Sequence, residues 1–93
     1  MQSFVYGTVR ETRRTAIYAI RVQGDVLDPI ETGDIAERMR EKMLARGESV
    51  TDVVVVTGGS KETLRLYGAP YAVTRVRTAM FNAAISWQPI ELD

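Results

Sequence analysis

Two segments near the N-terminus have apolar residues for both faces of a strand, and a third segment contains a run of valines. Residues 3–10 and 15–22 carry apolar side chains at odd-numbered and at even-numbered positions, and residues 51–57 contain four consecutive valines. Because successive side chains of a strand point to opposite faces, these three segments are predicted to be strands inside a sheet. Residues 62–67 alternate more weakly and predict a fourth strand, joined to the third by a hairpin loop over Gly58–Lys61.

Two further segments repeat apolar residues at helical spacing. Residues 23–33 predict a loop, and Asp34 with Glu37 three positions later predicts the N-cap of a first helix. Gly47 predicts the end of that helix, and Pro70 predicts the first turn of a second one. The residues expected to hold the loop to the core are Val26, Leu27 and Ile30. The apolar stripe of the second helix is predicted to consist of Val73, Val76, Met80, Ala83 and Trp87.

The predicted element order is ββαββα, with a possible short C-terminal strand around Pro89. It predicts an α+β fold over residues 1–93 as a single domain, a two-layer α/β sandwich with both helices on one face of one sheet. Without the first strand the order is βαββαβ, so a ferredoxin-like variant is a second possibility. In that variant the strand of residues 51–57 lies at a sheet edge, where an additional strand or a second copy is expected to cover it.

Composition excludes several classes of function. The 93 residues include 12 Lys and Arg, 12 Asp and Glu, and neither Cys nor His, so the formal net charge is zero. Cys and His are the commonest catalytic nucleophile and general base, so the protein is predicted not to be an enzyme and to carry no cofactor. The N-terminus has no signal-peptide pattern and no apolar run is long enough for a membrane span. A cytoplasmic protein without membrane contact is therefore expected.

A sheet with both helices on one face leaves its other face open, and the predicted strands have apolar residues for both. We therefore expect a small non-enzymatic interaction module, a homodimer or a complex with a protein partner, formed through the open sheet face or an edge strand. The residues predicted to form this surface are Tyr6, Tyr18, Tyr67, Arg13, Arg14 and Arg65.

Two alternatives remain open at this point. Arginine and exposed aromatic rings are the side chains that bind single-stranded RNA, so Arg10–Arg14 with the sheet tyrosines could form a nucleic-acid surface. The loop over residues 25–34 could instead bind a metal ion or another small ligand, through Asp25, Asp28, Glu31 and Asp34. Gly58–Lys61 lacks the spacing of a phosphate-binding loop and precedes a strand, so it predicts a plain turn.

Overall fold

The computed structural model describes residues 3–24 and 27–92. Seven elements follow one another along the chain: β1 (Phe4–Arg10), β2 (Thr15–Val22), α1 (Pro29–Ala45), β3 (Ser49–Thr57), β4 (Arg65–Tyr67), α2 (Pro70–Phe81) and β5 (Gln88–Ile90). The α+β sandwich and the ββαββα order with a short C-terminal strand are confirmed. Among the described residues, neither helix has the length and apolar character needed to cross a lipid bilayer.

The strands form one mixed sheet in the order β4-β3-β2-β1-β5. β2 and β3 are parallel and are joined by the α1 crossover, whereas the other neighbouring strands are antiparallel. β4 pairs with the last three residues of β3, Val55–Thr57, so β3 lies inside the sheet at this end. The pairing with β4 does not extend to Ser49–Val54. The ferredoxin-like order is therefore not confirmed. The interior positions of β2 and β3 explain why both strands are apolar on both faces.

The two helices lie on opposite faces of the sheet. Ile35, Met39 and Met43 of α1 pack on the face that carries the even-numbered residues of β2. Ala72 and Val76 of α2 pack on the odd-numbered face. The expectation that both helices share one face was wrong, because β2 and β3 are apolar on both faces and each face requires its own cover. The centre of the sheet is therefore covered on both sides.

α1 begins earlier than the sequence pattern predicts. Asp28 is the N-cap, and its carboxylate accepts a hydrogen bond from the backbone N–H of Glu31 at 2.8 Å. Pro29 occupies the first helical position, where its missing N–H removes no hydrogen bond. Asp34, predicted as the N-cap, lies inside the helix. Further upstream, Asp28 supplies the acceptor that an N-cap requires, and Pro29 supplies a first helical residue that needs no acceptor for its backbone nitrogen.

The earlier start of α1 changes the position of the loop residues. Leu27 is buried, as expected, whereas Ile30 lies in the first turn of α1 with 84% of its side chain exposed. The prediction that Ile30 holds the loop to the core was wrong, since its helical position directs it to solvent. Val26 lies outside the described residues.

α2 ends at Phe81 rather than continuing to Trp87. Asn82 is the C-cap, and Ala83 has a positive φ of 52° that stops the helix. The chain then crosses β1 on its way to the far edge of the sheet. It passes so close that a Cβ atom added at Gly7 would collide with Ile85.

A pair of glycine substitutions tests this close passage. Gly7→Ala is expected to lower the free energy of unfolding by about 1–3 kcal/mol, because the methyl group overpacks the contact with Ile85. Gly33→Ala is the control, since Gly33 lies inside α1 with open space around it. That substitution is expected to add about 0.5–1 kcal/mol. Urea unfolding measures both, and an unchanged midpoint for Gly7→Ala contradicts the close passage.

Candidate interaction surface

The three tyrosines predicted for an open surface lie on the sheet face that α1 covers. Tyr18 is central and only 3% exposed, and its ring centroid is 6.5 Å from that of Tyr6 on the neighbouring strand. Tyr67 packs partly buried at the β4 side of the same cluster. These rings therefore contribute to the packing beneath α1, and they do not together form a solvent-exposed platform.

Tyr18 also connects β2 to the segment between α1 and β3. Its hydroxyl donates a hydrogen bond to the Glu48 carboxylate, with an oxygen–oxygen distance of 3.0 Å. Burial, followed by this hydrogen bond, raises the pKa of Tyr18 to about 12. The hydroxyl therefore stays protonated and holds Glu48 in place at the start of β3.

The three predicted arginines do not form one patch. Arg13 and Arg14 are exposed in the turn between β1 and β2, whereas Arg65 is exposed on β4 opposite Thr57. The turn precedes β2 and Thr57 ends the parallel strand β3, so these positions lie at opposite ends of the sheet. At a rise of about 3.3 Å per residue, this separation is about 26 Å along the strands.

The acidic loop is divided among local contacts. Asp28 caps α1, and the Asp34 carboxylate lies 3.6 Å from the Arg38 guanidinium one turn along the helix. Within residues 3–24 and 27–92, no three acidic side chains come close enough together to hold a metal ion. Asp25 lies outside the described residues.

A groove lies on the α2 side of the sheet, and we call it the α2-face groove. It has a volume of about 490 Å³ and lies between the end of α2 and the loop that follows β3. Its apolar lining consists of Leu64, Met80 and Phe81, and its cations are Arg21, Lys61 and Arg77. Phe81 is 90% exposed, so a large aromatic side chain has almost no cover.

Arg21 lies between this groove and a neighbouring hollow of about 530 Å³. Its guanidinium carbon is 6.0 Å from the ring centroid of Trp87, which lines the hollow. This is the distance of a cation–π contact. The contact holds the charge of Arg21 at the boundary between the α2-face groove and the hollow.

The loop that carries Lys61 has a defined conformation. Gly58 has a φ of +97°, a value that favours glycine, and a Cβ atom there would collide with the Thr63 carbonyl. The Thr63 hydroxyl accepts hydrogen bonds from the backbone N–H groups of Gly59 and Ser60, at 3.2 and 3.1 Å. The connection covers residues 58–64, so the predicted four-residue loop and the predicted strand start at residue 62 were wrong. The loop places Lys61 in the lining of the groove.

The groove has a lining that is partly apolar and partly cationic. Its described lining contains three cations and no carboxylate, so it favours an anionic partner. Ser60 is the hydroxyl residue of the lining, and its hydroxyl is hydrogen-bonded to that of Thr63 at 3.0 Å. No general base accompanies it among the lining residues that the structure describes. The apolar half of the lining suits an anionic group that carries an aliphatic or aromatic side chain.

Sequence patterns did not identify the α2-face groove, because its cations come from β2, from the loop and from α2. Two signals were present in the chain. Arg21 interrupts an otherwise apolar strand, and Phe81 is a large aromatic residue outside the apolar stripe of α2. Each signal indicates a surface feature, but only the fold brings them together.

Comparison with family models, with curated proteins and with solved structures finds no match to this chain.

The Tyr18–Glu48 contact predicts a pH dependence of stability. Folding raises the pKa of Tyr18 from 10.0 to about 12, so this group stabilises the folded state fully below pH 10. The contribution is lost as the pH rises towards 12. Tyr18→Phe lacks it, so the difference in unfolding free energy between wild type and variant is expected to shrink over this range. Denaturant unfolding at several pH values measures it, and a difference that is constant with pH contradicts the assignment.

Proposed function

We propose that the protein is a non-enzymatic interaction module that associates with a second copy of itself through the α2-face groove. The observation that carries the proposal is the nearly full exposure of Phe81 beside an apolar lining with three cations. Aromatic residues, methionine and arginine are the side chains enriched at protein–protein interfaces. Burial of a phenylalanine side chain contributes about 2 kcal/mol, which gives this position a strong preference for a covered state.

In this proposal, the groove replaces the open sheet face and the edge strand, which were the two contact surfaces expected from the sequence. Both faces of the central strands are covered by helices. The edge strands β4 and β5 have three residues each, and Pro89 removes a backbone donor from β5. Short strands and proline are the features that prevent sheet edges from pairing with other chains. These observations favour the groove over β4 and β5 as the contact surface.

The charge distribution favours a second copy as the partner. The chain has as many acidic as basic residues, so two copies have no net repulsion between them. Three of the cations line the groove, while three acids lie at the N-cap and in the first two turns of α1, where Asp28 caps the helix and Asp34 pairs with Arg38. One surface of the chain is thus complementary in charge to another.

The nucleic-acid and ligand-binding alternatives stay predictions. The RNA alternative keeps its exposed Arg13 and Arg14, but Tyr18 is too buried to stack on a base. The alternative of ligand binding by the acidic loop keeps Glu31, which is exposed. A cytoplasmic location is part of the proposal and follows from the sequence expectation.

Self-association can be measured by sedimentation equilibrium. Wild type is expected to approach twice the monomer mass at about 100 µM, a concentration that populates complexes of micromolar dissociation constant. Phe81→Ser is expected to raise the dissociation constant at least about thirtyfold, because a buried phenylalanine is lost at both symmetry-related contacts.

Leu44→Ser is the matched control. Leu44 is also an exposed apolar residue on a helix, 52% accessible, but it lies near the end of α1 and outside the groove. Its substitution is expected to leave the dissociation constant within about twofold of wild type. A monomeric wild type, or equal effects of the two substitutions, refutes the proposal.

A further inference from the structure

α1 begins with a projection whose charge and polarity are the reverse of those of the groove. Ile30 extends into solvent from the first turn, and Asp28, Glu31 and Asp34 are its acidic neighbours in the sequence. We call residues 28–34 the acidic knob. The knob presents an apolar tip among carboxylates, whereas the groove presents an apolar floor among cations.

The acidic knob and the α2-face groove lie at the same end of the sheet. α1 follows β2 in the crossover to the parallel strand β3, so its first turn lies where these two strands end. Arg21 is close to the end of β2, and the loop with Lys61 directly follows β3. The helices occupy opposite faces, however, so one copy holds its knob on one face and its groove on the other.

A simple symmetry relates these two surfaces. A two-fold axis that lies in the plane of the sheet and perpendicular to β2 and β3 reverses both the strand direction and the faces. If this axis passes just beyond the ends of β2 and β3, the α1 face of one copy meets the α2 face of the other. Each knob then lies opposite a groove, and the two equivalent contacts close a dimer.

We infer that the acidic knob of one copy occupies the α2-face groove of a second copy, and the reverse. This inference rests on the proposed self-association and adds the segment that fills the groove. Ile30 covers Phe81 and its apolar neighbours Leu64 and Met80, while Glu31 faces Lys61 and Arg77. The contact covers the two most exposed large hydrophobic side chains among the described residues, Phe81 and Ile30.

Charge reversal on each side tests the pairing. Lys61→Glu and Glu31→Lys are each expected to raise the dissociation constant of the dimer at least about tenfold, because each reversal acts at both contacts. An equal mixture of the two variants is expected to restore dimerisation. In the mixed dimer one contact joins the two introduced side chains, which attract each other, and the other contact is native.

Two variants complete the design. Glu41→Lys is the control, since Glu41 is exposed on the same helix and undergoes the same change of charge. It is expected to change the dissociation constant less than about twofold. Ile30→Ser removes the apolar tip without touching the core and is expected to weaken the dimer, so the inference stays testable if a charge variant folds poorly. Far-UV circular dichroism checks the fold of each variant.

The outcomes separate the two proposals. A monomeric wild type at about 100 µM overturns both the proposed function and the knob contact. If wild type is a dimer that Phe81→Ser weakens, but Glu31→Lys behaves like Glu41→Lys, the groove is an interface and the knob is not its occupant. Failure of the mixture to dimerise also overturns the knob contact. Restoration in the mixture, with neither variant dimeric alone, establishes it.

Discussion

The structure depends on the parallel pair of β2 and β3, whose side chains are apolar on both faces. Val54 and Val56 of β3 are fully buried on the α2 side, and Val53 and Val55 are buried on the α1 side. Neither face can remain in water without exposing a row of aliphatic side chains. The two helices are therefore assigned to different faces, and the rest of the topology follows from this requirement.

Covering both faces with so short a chain has consequences for the surface. α1, with 17 residues, has the length to cover its face along the strands, whereas α2, with 12 residues, stops at Phe81. The chain must then cross β1 to form β5 at the far edge. The early end of α2 leaves the α2-face groove between the helix and the loop after β3. The candidate interaction surface is thus the place where α2 ends before it covers the sheet.

The elements could be predicted from the sequence to a large extent. The strand patterns and the valine run predicted β1, β2 and β3. Gly47 marked the end of α1 and Pro70 the start of α2 correctly. The start of α1 was missed because two capping patterns compete there, Asp34 with Glu37 and Asp28 with Pro29, and the second one begins the helix. The earlier start places Thr32 in the helix, where it is buried like Ile35.

What the sequence determined by itself is local: strand and helix periods, turn glycines, and a composition without Cys or His. What only the tertiary structure decided is relative position: which face each helix covers, and which distant residues become neighbours. Arg21, Lys61 and Arg77 belong to three different elements, and no local period relates them. Their convergence results from how β2, the loop and α2 meet at one end of the sheet. The physical reason is that side-chain periodicity fixes the face of each element, whereas the burial of both faces together fixes how the elements meet.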